Sequence, residues 1–95
     1  NGEVMSKKRS RLEIIRDILD VIRSKQGKMK PTHILYKSNL SHQMLEEYLG
    51  DLKQKEFIIE HRTPEGKRYS VTDKGFAFLE KYRSIVEFTD SFGLS

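Results

Sequence analysis

Three histidines and one pair of adjacent carboxylates are the side chains in this sequence that could carry catalysis or bind a metal. His33, His42 and His61 have eight and eighteen residues between them, which is unlike the short ligand spacings of zinc sites. Glu46 and Glu47 follow His42 on a predicted helix, where neighbouring side chains point about 100° apart and do not converge. The sequence contains no cysteine, so disulfides and thiolate chemistry are excluded.

The sequence also lacks the short motifs of known catalytic sites. It has no glycine-rich phosphate loop, no nucleophile elbow and no pair of carboxylates beside a base. We therefore predict that the protein is not an enzyme and needs no cofactor, metal or small-molecule ligand. No apolar run approaches the roughly 20 residues of a membrane helix, and the basic N-terminus lacks the apolar core of a signal peptide. These features predict a cytoplasmic or nucleoid-associated protein.

The charge of the chain is unevenly distributed. Eighteen Lys and Arg against fourteen Asp and Glu give a net charge of +4. Residues 1–40 carry ten basic and four acidic side chains, whereas residues 41–56 carry two and four. The basic surplus therefore lies toward the N-terminus, and the centre of the chain is acidic.

The acidic centre has the pattern of an amphipathic helix. Ser41 is a favourable N-cap, apolar residues follow it at three- and four-residue spacing, and the helix is expected to continue to about Lys55. These apolar residues are Leu45, Tyr48, Leu49 and Leu52. The pattern predicts a helix with one buried face and one exposed face.

The same reasoning predicts the elements on either side. The first helix has a core-facing stripe made of Leu12, Ile15, Ile18, Leu19 and Ile22. Thr72 is a favourable N-cap for the last helix, and Lys28–Lys30 can add a short third strand to the hairpin. The further elements are helices near residues 10–27, 32–36 and 73–88, and strands over 57–62 and 67–71 with an exposed turn at 63–66.

A short helix, a tight turn, a second helix and a hairpin are the parts of a winged helix-turn-helix. We predict an α+β fold with a three-helix core, a β-hairpin wing and an extra C-terminal helix. Ninety-five residues suffice for one domain. Residues 1–9 are expected to form a basic arm, 10–75 the core and 76–95 the C-terminal helix. Residues 1–4 precede Met5 and are read as a tag remnant or a trimmed native tail.

One combination of residues between Thr32 and Leu79 carries a resemblance that covers about residues 10–88 of the chain. It comprises Thr32, Ile34, Tyr36, Asn39–Ser41, Tyr48–Leu49, Leu52, Phe57–Ile58, Tyr69, Val71–Thr72, Lys74–Gly75 and Phe78–Leu79. This combination resembles the small archaeal winged-helix DNA-binding proteins, a group of chromatin-like and regulator-like chains. The resemblance implies double-stranded DNA as the partner, a role as a small transcriptional regulator or chromatin protein, and a dimer formed through the C-terminal helix.

If the helix that follows Ser41 lies in the major groove of DNA, its exposed side chains can meet base edges. Those side chains are His42, Gln43, Glu46 and Glu47. Glutamine can pair bidentately with adenine, and glutamate can accept a hydrogen bond from cytosine N4. Two alternatives remain open: the carboxylates form an ordinary solvated face, or the acidic helix meets a basic protein and the domain is a protein interaction module.

Carboxylates near phosphates lower affinity, so the phosphate contacts must come from other segments. Basic residues of the arm, the turn, the wing and the segment before the second helix flank the docked helix. They are Lys7, Lys8, Arg9, Arg11, Lys28, Lys30, Lys37, Lys53, Arg62, Lys67 and Arg68. We expect the arm, residues 6–11, to be mobile until the first helix begins. The alternative is that these lysines and arginines only maintain solubility.

The last helix has two apolar faces. The face expected to close the core consists of Gly75, Leu79, Tyr82 and Val86. A neighbouring face repeats large apolar residues at seven-residue spacing, and a monomer has little reason to expose such groups. We therefore predict a homodimer with a contact formed by Phe78, Ile85, Phe88 and Phe92.

Overall fold

The computed structural model describes residues 9–94, which form four helices and one antiparallel hairpin. In chain order the elements are α1 (Arg11–Ser24), α2 (Pro31–Ser38), α3 (His42–Gln54), β1 (Ile58–Thr63), β2 (Gly66–Val71) and α4 (Asp73–Ser91). The predicted α+β arrangement of a three-helix core, a wing and a C-terminal helix is confirmed. Within residues 9–94 no helix combines the length and the apolar character needed to cross a membrane.

Side-chain caps fix where three of the helices begin. At α1 the Ser10 hydroxyl accepts from the Glu13 N–H at 3.1 Å, and the Glu13 carboxylate accepts from the Ser10 N–H at 2.7 Å. The hydroxyls of Ser41 and Thr72 cap α3 and α4, each accepting a backbone N–H at 3.1 Å. α2 begins instead with Pro31, whose fixed φ suits a first helical turn. The N-caps predicted at Ser41 and Thr72 are therefore confirmed.

The three-residue connection between α2 and α3 contains one residue in a left-handed conformation. Asn39 has φ 55° and ψ 50°, a conformation that asparagine tolerates because its short side chain can bond locally. The chain therefore changes direction between Ser38, which is buried, and Ser41. After α3, Glu56 has φ 65°, and the Thr72 hydroxyl donates to its carbonyl at 2.6 Å. Both ends of α3 are thus fixed by the chain around them.

The wing is a two-stranded hairpin with a two-residue turn. Its register pairs Ile58 with Val71 at the base and Thr63 with Gly66 at the tip. Gly66 has φ 123°, a positive angle that glycine adopts without steric cost. Pro64, Glu65 and Gly66 are exposed, as predicted for the turn, whereas Thr63 before them is half-buried.

The third strand predicted at residues 28–30 is reduced to one bridge. Met29 pairs antiparallel with Tyr69, whose N–H donates to the Met29 carbonyl at 3.2 Å. Pro31 starts α2 two residues later and has no N–H with which to continue the ladder. The proline that favours α2 therefore also limits the sheet to two strands.

The core lies where the helices meet the hairpin. Its fully buried apolar side chains include Ile18, Leu19, Ile22, Ile34, Leu52 and Ile58. Leu12, predicted in the core stripe of α1, is 55% exposed. It lies in the first turn at one edge of the stripe, and Ile14 is buried at the other edge instead.

α4 packs on the domain through its first half and extends past it with its second. An added Cβ at Gly75 would lie 2.5 Å from the Phe57 carbonyl oxygen and from Val71 Cγ1, so this close approach requires a glycine. Leu79 is buried, but Val86, predicted to close the core with it, is 37% exposed. The prediction for Val86 is wrong because the residue lies in the open groove between α1 and α4, where its side chain is only partly covered.

Phe78 packs inside its own domain, which corrects its predicted place on an exposed face. Its ring meets Phe57 edge-on with the centroids 5.8 Å apart, and lies 6.0 Å from the ring of Tyr82. Ile85 and Phe92, which share the seven-residue spacing with Phe78, are exposed. Residues that share the seven-residue spacing therefore differ in burial, because Phe78 packs against the core and Ile85 and Phe92 do not.

Candidate nucleic-acid interface

The outward face of α3 is set by the leucines that the helix buries. Leu45, Leu49 and Leu52 pack in the core, so the opposite side of the helix faces away from the domain. Four exposed residues recur along that side at four- and three-residue spacing: Gln43, Glu47, Gly50 and Gln54. We refer to these four residues as the outward stripe.

The four side chains predicted to meet base edges do not all occupy this stripe. Gln43 and Glu47 belong to it, whereas His42 and Glu46 lie on one flank of the helix, with His42 Nε2 4.0 Å from a carboxylate oxygen of Glu46. Lys53 lies on the same flank and bonds to β1, so this flank is turned toward the wing. The helix therefore presents two of the predicted residues outward and two beside the hairpin.

Residue-type reasoning missed the other members of the stripe, Gly50 and Gln54. The predicted base contacts were polar or charged residues near the N-terminus of α3, and this criterion excludes a glycine and the last residue of the helix. The four- and three-residue spacing that starts at Gln43 would have identified both residues.

Arg9 is fixed to the domain rather than mobile. Its guanidinium pairs with the Asp17 carboxylate at 2.8 Å and donates to the Asn39 carbonyl at 3.1 Å. Arg9, which precedes the N-cap of α1, is thus bonded to the turn between α2 and α3. This contact corrects the expectation that the arm is mobile at this residue. Two further residues of the arm that are predicted to contact phosphates, Lys7 and Lys8, lie outside the described residues.

Asp51 forms ion pairs with two cations near α3. Arg11 pairs with it at 2.6 Å, and Lys55 approaches it to 3.0 Å. The Arg11 guanidinium also lies 5.4 Å from the centre of the Tyr48 ring. The hydrogen bond from Lys55 and the charges of both cations hold the pKa of Asp51 below its ordinary value. Arg11 therefore neutralises an acid of α3 and joins α1 to that helix.

Glu60 links α3 to the wing. Its side chain is only 10% exposed, and its carboxylate lies 2.9 Å from Lys53 Nζ and 3.3 Å from Arg62 Nε. The hydrogen bond from Lys53, with the charges of Lys53, Lys67 and Arg62, lowers the pKa of Glu60. Lys53 and Arg62 therefore offset a carboxylate at the edge of the predicted interface.

The remaining predicted cations make no ion pair with an acid in the part of the chain that the structure describes. They are Lys28, Lys30, Lys37, Lys67 and Arg68, which we call the unpaired cations. The bridge between Met29 and Tyr69 is antiparallel, so the next residue, Lys30, lies opposite Arg68. Arg68 is nearer than Tyr69 to the tip of the wing. Residues 21–45 also contain no Asp or Glu, so no acid of that segment offsets Lys28, Lys30 or Lys37.

The histidines are placed apart from one another. His61 bonds across the hairpin to Ser70, with Nε2 2.7 Å from the hydroxyl oxygen, whereas His33 and His42 are exposed on different helices. Within residues 9–94 no three His, Asp or Glu side chains come close enough to hold a metal ion. These contacts fit packing and surface roles for the imidazoles.

Comparison with protein families gives a match over nearly the whole chain. Residues 8–90 match the profile of a family described as winged helix-turn-helix. An uncharacterised protein from Methanocaldococcus jannaschii is 36% identical over 80 residues, which are 84% of this chain and 35% of that protein. The chain thus spans about a third of the length of this relative.

Solved structures share the fold. Sso10a-2, a DNA-binding protein from Sulfolobus solfataricus, has a TM-score of 0.74 at 20% identity, over 88% of this chain and 85% of that one. YodB from B. subtilis has a TM-score of 0.66 at 26% identity, over 93% and 84% of the two chains. A mutant of S. aureus MepR has a TM-score of 0.74 at 17% identity, over 83% and 61%.

The ion pairs of Glu60 predict how stability depends on pH. Its folded-state pKa lies below the ordinary value of 4.5, so its contribution is present above that pH and is lost as the pH falls through the lowered pKa. We expect Glu60→Gln to lose less unfolding free energy than the wild type between about pH 5 and pH 3. Urea unfolding across this range measures the difference.

Glu65→Gln is the matched control, because Glu65 is exposed in the turn of the wing and makes no ion pair within the described residues. It should keep the pH dependence of the wild type. Parallel loss of stability in Glu60→Gln and the wild type would contradict the assignment.

Proposed function

Because the chain belongs to the winged helix-turn-helix family, we propose that it binds double-stranded DNA as a small transcriptional regulator or chromatin-associated protein. The observation that carries the proposal is the division of charge around α3. Asp51 and Glu60 are neutralised within the domain, whereas the unpaired cations flank α3 on the wing and at both ends of α2. Sso10a-2, which shares this fold, is itself a DNA-binding protein. A DNA-bound role would place the protein on the nucleoid in the cytoplasm.

In the proposed complex α3 lies in the major groove with the outward stripe against the base edges. Gln43 and Gln54 can pair bidentately with adenine, and Glu47 can accept a hydrogen bond from cytosine N4. His42 and Glu46 meet the groove from the flank nearer the wing. Base contacts would therefore be spread along the helix and would not be confined to its first turn.

The unpaired cations would supply most of the phosphate contacts. Those on the wing and before α2 form one basic edge beside the groove, and Lys37 lies at the other end of α2. The paired cations can contact phosphates only if they leave the carboxylates that they pair with. While paired, they offset the charge of those carboxylates and so reduce its repulsion of DNA. They are Arg9, Arg11, Lys53 and Arg62. Lys7 and Lys8 would extend the contacts from the arm.

The second half of α4 supports a homodimer. Ile85, Phe88 and Phe92 are 60%, 61% and 66% exposed, and the two phenylalanine rings lie 5.0 Å apart on one side of the helix. Burying such a side chain contributes about 1.5 to 3 kcal/mol. Six of them across a twofold contact are comparable with the roughly 4 to 15 kcal/mol that association costs.

A dimer would also strengthen DNA binding. Two copies of α3 on one duplex convert the second binding event into an intramolecular one, so weak half-sites together give useful affinity. The dimer contact thus joins the exposed apolar residues to the proposed function, and Phe78, which packs inside its own domain, is left out of it.

One prediction of the proposed function concerns phosphate contacts. Lys30→Gln and Arg68→Gln should each weaken binding to every duplex by a similar factor, roughly three- to tenfold at 0.1 M salt, because phosphate contacts carry no sequence information. Fluorescence anisotropy with several labelled duplexes measures the change. Arg23→Gln removes the same charge from the groove between α1 and α4 and should bind as the wild type does. Wild-type affinity in Lys30→Gln at low salt would contradict the docking geometry.

Another prediction of the proposed function concerns the dimer. Ile85→Asp should give a folded monomer with sharply reduced DNA affinity, because a carboxylate cannot be buried unpaired in the apolar contact. Ile85→Leu keeps the apolar area and should remain a dimer. Analytical ultracentrifugation at micromolar concentration, with circular dichroism for folding, distinguishes these outcomes. A wild-type protein that sediments as a monomer would refute the contact.

A further inference from the structure

Gly50 is an unusual residue for its position. It lies in the interior of α3 and is exposed at the centre of the outward stripe. A glycine inside a helix destabilises it relative to alanine, because the unfolded chain has more backbone freedom to lose. A fold that tolerates this cost usually needs the glycine for its backbone angles or for close packing.

The other glycines in residues 9–94 each have such a reason. Gly27, Gly66 and Gly93 have positive φ angles of 80°, 123° and 69°, and a Cβ at Gly75 would lie 2.5 Å from neighbouring atoms. Gly50 has an ordinary helical conformation, and a Cβ built on it meets nothing within 4 Å. Nothing in the described domain therefore requires a glycine at this position.

We propose that Gly50 is the point at which the edges of the base pairs approach the backbone of α3 most closely. The proposal rests on the proposed DNA-binding function and assigns a position within it. The major groove is about 12 Å wide, and a helix with its side chains is about 10 to 12 Å across. Removing one side chain from the outermost line of the helix lets its axis move deeper into the groove.

The neighbours of Gly50 on the stripe fit this role. Glu47 lies about one turn before it and Gln54 about one turn after it, so their longer side chains extend to bases on either side of the closest approach. A methyl group at residue 50 would hold the helix away and lengthen the hydrogen bonds from both. Gly50 is therefore a positioning residue for sequence-specific binding, and it contributes little to phosphate contacts.

The test compares two kinds of duplex. A binding sequence is selected from a random duplex pool with the wild-type protein, and affinities for the selected duplex and for the unselected pool are measured by anisotropy. Gly50→Ala should raise Tm by about 4 to 8 °C, because alanine favours the helix. It should weaken binding to the selected duplex at least tenfold while changing affinity for the pool less than about twofold, and Gly50→Leu should weaken selected binding further.

Ser84→Ala is the control for added helix propensity, because Ser84 is exposed on α4 rather than α3. It should leave both affinities unchanged. Wild-type binding of the selected duplex by Gly50→Ala would overturn the role of Gly50 while the DNA-binding function stands. Failure of the wild-type protein to bind any duplex would overturn the function and this inference together.

Discussion

The burial of three leucines on α3 determines which side of that helix is free to meet a partner. Leu45, Leu49 and Leu52 pack against the core, and a helix that buries one face must present the opposite one. The Ser41 hydroxyl caps the start of the helix, and the bond from the Thr72 hydroxyl to the Glu56 carbonyl holds the chain just after its end. The outward stripe, the flank beside the wing and the positions of the paired acids all follow from this orientation.

Electrostatics then separates two classes of cation that look alike in the sequence. Arg11 and Lys53 hold carboxylates within the domain, and these links join α3 to α1 and to the wing. The unpaired cations make no ion pair with an acid in residues 9–94. This division fits a nucleic acid, because Asp51 and Glu60 are offset within the domain while the unpaired cations are not. Glu46 and Glu47, the carboxylates that a basic protein would meet, have no Lys or Arg partner in residues 9–94.

The sequence predicts the fold well because each element carries a local signal. Ser41 and Thr72 act as caps, and the leucine spacing marks the buried face of α3. Local patterns could not predict which residues of one element contact the other elements. Val86 continues the apolar face of α4 but lies in the open groove between α1 and α4. Phe78 packs against Phe57, and Arg9 is fixed by an acid eight residues away. Such contacts depend on the tertiary arrangement and have no signature in spacing.

The salt dependence of binding to a mixed-sequence duplex tests the central claim most directly, because it counts the phosphates that the cations neutralise. Five to eight phosphate contacts predict that log affinity falls with log salt with a slope of about −4.5 to −7. The measurement is an anisotropy titration of the wild-type protein at several salt concentrations. A slope in this range supports DNA binding through the unpaired cations, whereas a flat profile, or no binding at low salt, would contradict it.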